Sequence, residues 1–225
     1  MWLQFPCPLC QRIAKSDLCH DCERNLRSYQ LSNQDDSWRG AYPLFAWGEY
    51  DGDLSRAIAT LKYENHPELG VLLGKWLGVS WLDSGLIKNA TRPIVIPIPL
   101  HKSKLKTRGF NQAELIAKGF CQITKYKLIA DGLIRTKATQ AMFGLKREQR
   151  QTNINNAFQL SDKLQQNPLR SPILIIDDIY TSGTTVREAT RTLTKNKLKV
   201  IGAATVSRGK MKKVDTTKSK TRISK

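Results

Sequence analysis

Residues 173–185 read Ile-Leu-Ile-Ile-Asp-Asp-Ile-Tyr-Thr-Ser-Gly-Thr-Thr: four aliphatics, two adjacent acids, then a hydroxyl-rich loop around one glycine. The chain carries 37 Lys and Arg against 19 Asp and Glu, so two neighbouring carboxylates at this place need a reason. A short unbroken aliphatic run reads as a strand buried on both faces, as in a parallel sheet. In open parallel sheets ligands bind at the carboxyl ends of the strands, which is where Asp177 and Asp178 stand. Thr181, Ser182, Gly183, Thr184 and Thr185 then lead into a helix expected over about 185–195. Backbone N–H groups and the macrodipole at such a helix start favour a phosphate. Gly183 lets the backbone approach that anion without a Cβ.

The loop is neither a Walker A nor a GxGxxG. Carboxylates accept hydrogen bonds from vicinal hydroxyls, so acids beside a phosphate cradle point to a ribose 5-phosphate. Two other readings remain at this stage. The acids could be solvated at the end of a capped turn, or they could belong to a response-regulator pocket, which needs a further Asp and Lys at other strand ends.

Outward from this stretch, strand and helix signals alternate. YPLFAWGEY (42–50) is strand-like and closes on Asp51-Gly52. Leu54, Ile58 and Leu61 follow at helical spacing with Asp53 placed to cap. A second helix is expected over 68–81, with Leu69, Leu72, Leu73, Trp76 and Leu77 as its apolar stripe. RPIVIPIPL (92–100) reads as a buried strand, Asn111 as the cap of a helix through Phe120, and 127–134 as a strand. A short helix is plausible at 145–151, Asn196 is placed to end the 185–195 helix in the left-handed conformation, and KVIGAATVSR (199–208) is a final strand. Strands alternating with helices predict an α/β fold: an open parallel sheet with helices on both faces.

Cys7-x-x-Cys10 and Cys19-x-x-Cys22 stand eight residues apart at the front of the chain. Two such knuckles complete a tetrahedral S4 site, and four thiolates leave no open position for chemistry, so a structural zinc ion is expected. About thirty residues cannot stabilise themselves by burial, so the metal would supply the folding free energy. Disulfides and a redox CxxC are the competing readings; the first fits poorly with a reducing compartment. The spacer is shorter than the roughly 15–20 residues of the common ribbon. His20 could substitute as a ligand or simply face solvent, and Cys121 reads as a small buried hydrophobe.

The expected division is a zinc ribbon over 1–30, a linker over 31–41 within the polar stretch 25–40, a main domain over 42–209 and a basic tail over 210–225. The net charge of +18 favours anionic partners, and the tail holds seven basic residues and one acid. That tail lacks apolar periodicity and is expected to be disordered. The longest apolar run, IVIPIPL (94–100), is too short to cross a membrane. MWLQFPCPLC has no secretory pattern, which makes the cytoplasm the default location.

DDIYTSGTT resembles the phosphoribosyl pyrophosphate (PRPP) motif of type I phosphoribosyltransferases. The chain up to about Arg208 resembles the ComF family, competence-associated proteins that join a zinc ribbon to a phosphoribosyltransferase-like domain. The cysteine knuckles, IATLKY (58–63), PIPLHKSKLKTRGFNQAELIA (97–117) and LIRTKATQAMFGLKREQRQTNINNAF (133–158) carry that resemblance. It implies that Asp177 and Asp178 hold the ribose hydroxyls and Thr181 to Thr185 the 5-phosphate. Leu100, His101, Lys102 and Ser103 would form the pyrophosphate loop, and about 135–156 a mobile hood. Mg2+ would ride on the pyrophosphate oxygens rather than in a protein cage.

The sequence departs from the family where KLKTRGF has lysines in place of arginines, and where Asn196-Lys197 replaces a usual glycine. Arg108 is the favoured basic ligand contact, with Lys146, Arg147 and Arg150 as weaker candidates beside Lys104 and Lys106. No base-recognition anchor or general base stands out. The implied role is DNA uptake in natural transformation, with PRPP, single-stranded DNA and a competence helicase as partners and phosphoribosyl transfer as an open activity. The alternatives are a nucleotide-salvage enzyme unrelated to DNA, a single-stranded-DNA-binding module regulated by PRPP, and a scaffold that has lost its ligand.

Overall fold

The computed structural model describes residues 5–36, 38, 43–86, 92–138, 154–166 and 169–210. The expected helix at 145–151, with Lys146, Arg147 and Arg150, lies outside the described residues, as does the tail beyond Lys210. The front of the chain folds as β1 (Phe5–Pro6), β2 (Ile13–Ala14) and α1 (His20–Arg27). Then come β3 (Leu44–Glu49), α2 (Gly52–Tyr63), α3 (Glu68–Asp83), β4 (Ile94–Pro97), α4 (Lys102–Arg108) and α5 (Gln112–Thr124). The remainder is β5 (Lys127–Leu128), β6 (Leu133–Arg135), β7 (Phe158–Leu160), α6 (Asp162–Gln166), β8 (Ile173–Tyr180), α7 (Thr184–Lys195) and β9 (Val200–Arg208).

A five-stranded sheet in the order β3-β9-β8-β4-β5 is parallel throughout. The aliphatics of β8 alternate between its two faces. Leu174 and Ile176 pack with Phe45, Trp47 and the buried residues of α2, α3 and α5. Ile173 and Ile175 pack with Val186, Ala189 and Leu193 of α7 and Leu164 of α6. Both faces are therefore covered, which is why the strand shows no polar positions until its acids.

The α3 and α5 helices lie backbone to backbone. A Cβ at Gly74 would run into the Ile116 carbonyl, and one at Gly119 into the Val71 carbonyl. Beside the leucine stripe read from the sequence, α3 therefore carries a second, glycine-lined contact face (Gly70, Gly74, Gly78) that admits its partner helix. A small-residue face gives no hydropathy signal, so periodicity could not reveal it.

Four local expectations are corrected. Asp51, not Asp53, caps α2, its side chain accepting from Gly52 N at 2.9 Å, because the turn and the helix start coincide. The strand expected at 127–134 is two strands: β5 extends the parallel sheet, whereas β6 pairs antiparallel with β7. Asn196 has φ −95° and its side chain donates to the Thr192 carbonyl at 2.9 Å. Lys197 takes the left-handed conformation instead (φ 62°), at the place where a glycine would be free of strain. The polar stretch 25–40 is not a free tether: α1 runs to Arg27, and Leu31 N donates to Trp47 O at 2.9 Å. Asn111 does cap α5, accepting from Ala113 N at 3.2 Å.

Candidate functional site

Beyond Ile176 the β8 strand runs past the end of β4 and pairs with β9 alone, Asp177 opposite Thr205 and Tyr180 opposite Arg208. The chain steps from β4 to β5 on one side and from β8 to β9 on the other, so the strand order reverses between β4 and β8. Such a reversal opens a crevice at the carboxyl ends. It encloses about 470 Å³ and is lined by both acids, by Lys62 and Tyr63 of α2, and by Lys104 and Arg108 of α4, with Arg135 from β6.

Asp177 and Asp178 are 7% and 5% exposed. Asp177 Oδ1 accepts from Asp178 N at 2.9 Å, which locks the two residues together. Asp178 accepts from Gln112 Nε2 at 3.3 Å on one oxygen, and the other is in contact with the Lys62 ammonium. Burial pushes the Asp177 carboxyl well above its ordinary range, and the neighbouring Asp178 charge adds to it. Burial acts the same way on Asp178, but the Lys62 charge together with hydrogen bonds from Lys62, Asp177 and Gln112 outweighs it and holds that carboxyl below the ordinary range. Asp177 thus keeps its proton to higher pH than Asp178 does. Burial and the charges of Arg135 and Arg108 depress the Lys104 ammonium, the mark of a pocket short of anions.

Gly183 opens α7 with φ 69°, a left-handed conformation that suits glycine, and a Cβ there would meet the Tyr180 ring. No side chain caps this helix start, so its first N–H groups face a niche of about 20 Å³ lined by residues 179–186 and Asp177. Ser182 and Thr184 hydroxyls bond each other at 2.7 Å beside them. The two carboxylates and the 181–185 loop thus share one rim.

The four residues expected to form a pyrophosphate loop divide. Leu100 lines the crevice, while Lys102 and Ser103 begin α4 and His101 caps it, its Nδ1 accepting from Ser103 N at 3.2 Å. Arg108 reaches the crevice, donates to Gln112 Oε1 and lies 5.4 Å over the Tyr63 ring. The Gly-Phe-Asn-Gln-Ala element thereby acquires a physical account. Gly109 (φ 83°) ends α4, Asn111 caps α5 and donates to the Ile98 carbonyl at 3.0 Å, and Gln112 reaches Asp178.

Sequence reading missed Lys62, Tyr50 and Glu188. Lys62 gave a signal: it follows Leu61 on the apolar stripe of α2, four residues after Ile58, where a solvated lysine is out of place. Glu188 gave none. Its buried carboxylate on α7 accepts from Asn156 N at 2.8 Å and pairs with Arg191, tying the phosphate-loop helix to residues just before β7.

The four N-terminal thiols converge: Cys7, Cys10, Cys19 and Cys22 place their Sγ atoms within 4.8 Å of one another, Cys10 and Cys19 at 3.5 Å. Tetrahedral zinc with Zn–S near ~2.3 Å needs S···S of about 3.8 Å, so the donor set fits the ion. The second knuckle occupies the first turn of α1, whose positive end favours thiolates. His20 starts that helix exposed and is outside the cluster. Burial pushes the half-buried Cys121 thiol up to about 12, as befits an inert packing residue. Leu9, Leu18 and Leu26 pack into the same core as Trp47 and Trp76, so the cysteine unit is docked on α2, α3 and β3.

Comparison with known proteins agrees with this geometry. The profile of the phosphoribosyl transferase domain matches residues 106–225. Competence protein F of Haemophilus influenzae is 26% identical over 216 residues, 86% of this chain and 93% of its own length. The DNA utilization protein YhgH of Escherichia coli O6:H1 is 28% identical over 208 residues, 89% of this chain and 86% of its own. Competence protein ComFC of Bacillus subtilis is 25% identical over 199 residues, 83% and 70% respectively. Among the described residues no helix is long and apolar enough to cross a membrane. With the acids on a reversing parallel sheet, the loop at the start of α7 and the profile match over more than half its length, the chain belongs to the phosphoribosyl transferase domain family, as a ComF-type member with an N-terminal cysteine cluster.

Proposed function

We propose that this protein binds PRPP in the β4–β8 crevice and serves DNA uptake in natural transformation. The observation that carries the reading is the placement of Asp177 and Asp178 on one rim with an uncapped helix start at 181–185. In this reading Asp178 and Asp177 face the ribose hydroxyls, and Asp177, whose carboxyl burial holds above its ordinary range, is the one that keeps its proton to higher pH. The N–H groups opening α7, with Thr181, Ser182, Thr184 and Thr185, take the 5-phosphate. Lys104, Arg108 and Arg135 face the pyrophosphate, and Leu100 closes the apolar side.

Mg2+, when bound, neutralises charge that builds up on the departing pyrophosphate. The donor set supports a metal carried on ligand oxygens, because Asp178 is already in contact with Gln112 and Lys62 and Asp177 with a backbone N–H. The four cysteines hold a structural zinc ion. The organisation is a zinc ribbon over 1–30, a linker over 31–41, the transferase-like domain over 42–209 and a basic tail over 210–225, within a cytoplasmic protein.

The DNA role rests on the names of the competence and DNA-utilization relatives and on the +18 charge. Single-stranded DNA is the proposed polyanion, handed on by a competence helicase. Its affinity should fall steeply with salt, since phosphate contacts release counterions.

Calorimetry with PRPP and Mg2+ tests the site directly. Wild type should bind, and the Asp177→Asn/Asp178→Asn double variant should not. Equal binding by both removes the ribose assignment. A nucleobase screen for pyrophosphate release then separates an enzyme from a binding module.

A further inference from the structure

Lys62 is the least expected group in the crevice. It projects from α2, whose residues Leu54, Ile58 and Leu61 are buried, and its side chain is 17% exposed. A lysine so placed loses hydration and must find an anion. Its ammonium contacts Asp178, a carboxylate from a different layer of the fold. The other groups facing this acid are Asp177 beside it on β8 and Gln112 from α5. Tyr50, Tyr63 from α2, Lys104 and Arg108 from α4 and Arg135 from β6 are the other titratable groups of the lining.

A divalent cation at the acid pair would have to displace this ammonium or sit against it. Two cations a few ångströms apart in a buried site repel strongly. Magnesium also demands near-octahedral oxygens and keeps several waters. Asp178 has one oxygen held by Gln112 and the other, buried, against Lys62, so the acid offers a metal no free pair of oxygens.

On the sugar-phosphate reading above, we propose that Lys62 is the resident counter-cation of the sugar-binding carboxylates: it orients and neutralises Asp178, so that the ribose side of the crevice takes its sugar without a divalent metal. Lys62 is a positioning residue, acting through Asp178. Metal dependence then belongs to the pyrophosphate half of the ligand. The pH dependence follows. With Lys62 in place, Asp178 stays ionised below the ordinary carboxylate range, and binding that uses it is lost only as pH falls through that depressed value. Without Lys62, burial is opposed only by the hydrogen bonds from Gln112 and Asp177, and the loss moves to higher pH.

The test is calorimetric titration of the full chain with ribose 5-phosphate in EDTA across a pH series. Wild type should bind without metal. Lys62→Met, which keeps the chain length, should bind roughly ten-fold more weakly near neutral pH, as expected for loss of a charged hydrogen-bond partner. Its binding should also fade at higher pH than that of wild type as the solution is acidified. Lys62→Arg should recover most of the affinity and the original profile. Wild-type binding that requires Mg2+ overturns the role of Lys62 while leaving the sugar site standing. Unchanged affinity and profile in Lys62→Met overturns it too. If Lys62→Met fails to fold, the EDTA arm and Lys62→Arg decide: failure of either to bind overturns the role. Absence of ribose 5-phosphate binding to wild type under every condition removes the sugar-phosphate reading and this role with it.

Discussion

The cysteine cluster and the carboxylate crevice are both polar sites at the margin of one hydrophobic core, yet they are built in opposite ways. The cluster draws its four ligands from Cys7 to Cys22, two turns of local chain brought together by β1, β2 and the start of α1. The crevice draws its lining from Tyr50 to Thr185, across α2, α4, α5, β6 and β8. Short-range chain reversals organise the first, as the donor set of a metal, and close packing of distant elements organises the second. Damage to the cluster should therefore be local and abrupt, whereas damage to the crevice should arrive through residues that touch no ligand.

The largest effect is expected from metal loss. Structural zinc contributes on the order of 10 kcal/mol to small domains, so Cys22→Ser should abolish zinc binding and make residues 5–27 protease-sensitive. Far-ultraviolet dichroism of the α/β domain should largely persist, because its sheet has both faces covered without the cluster. Protease resistance of 5–27 without zinc would mean that docking of Leu9, Leu18 and Leu26 suffices, and the contrast would be gone.

Gly74→Val probes the crevice from afar. A branched side chain against the Ile116 carbonyl forces α3 and α5 apart and should cost about 3 kcal/mol, read as a lower denaturation midpoint. Gln112 sits at the start of α5, so ribose 5-phosphate affinity should fall as well. Stability loss without affinity loss would show that α5 does not position the site.

Asn111→Ala removes the cap of α5 and its tie to Ile98, for about 1 kcal/mol of stability. Here binding should suffer out of proportion to stability. Arg27→Ala is the mildest: loss of the guanidinium 4.4 Å over Trp76 and of an exposed pair with Glu23 should cost roughly 0.5–1 kcal/mol. It should leave zinc content and ribose 5-phosphate affinity unchanged, since the arginine holds neither set of ligands.

What the sequence by itself determined is what depends on near neighbours. The aliphatic run of β8, the acids that end it, the glycine that opens α7, the two CxxC knuckles and the Asn111 cap all follow from period, spacing and local conformational freedom. Their positions agree with the structure to within a residue or two. Local misreadings, such as Asp53 for Asp51 or Asn196 for Lys197, concern which of two residues one or two positions apart takes the special role.

Tertiary structure alone decided which distant groups meet. Nothing in the spacing of Lys62, Gln112, Arg108 and Arg135 says that they line one crevice with Asp178, nor that Glu188 fastens Asn156. Nor does it say that the four glycines of α3 and α5 let two helices touch along their backbones. Such contacts are selected by how layers close over a common sheet, and their energy comes from excluding water between elements far apart in the chain. Local periodicity carries no record of that choice.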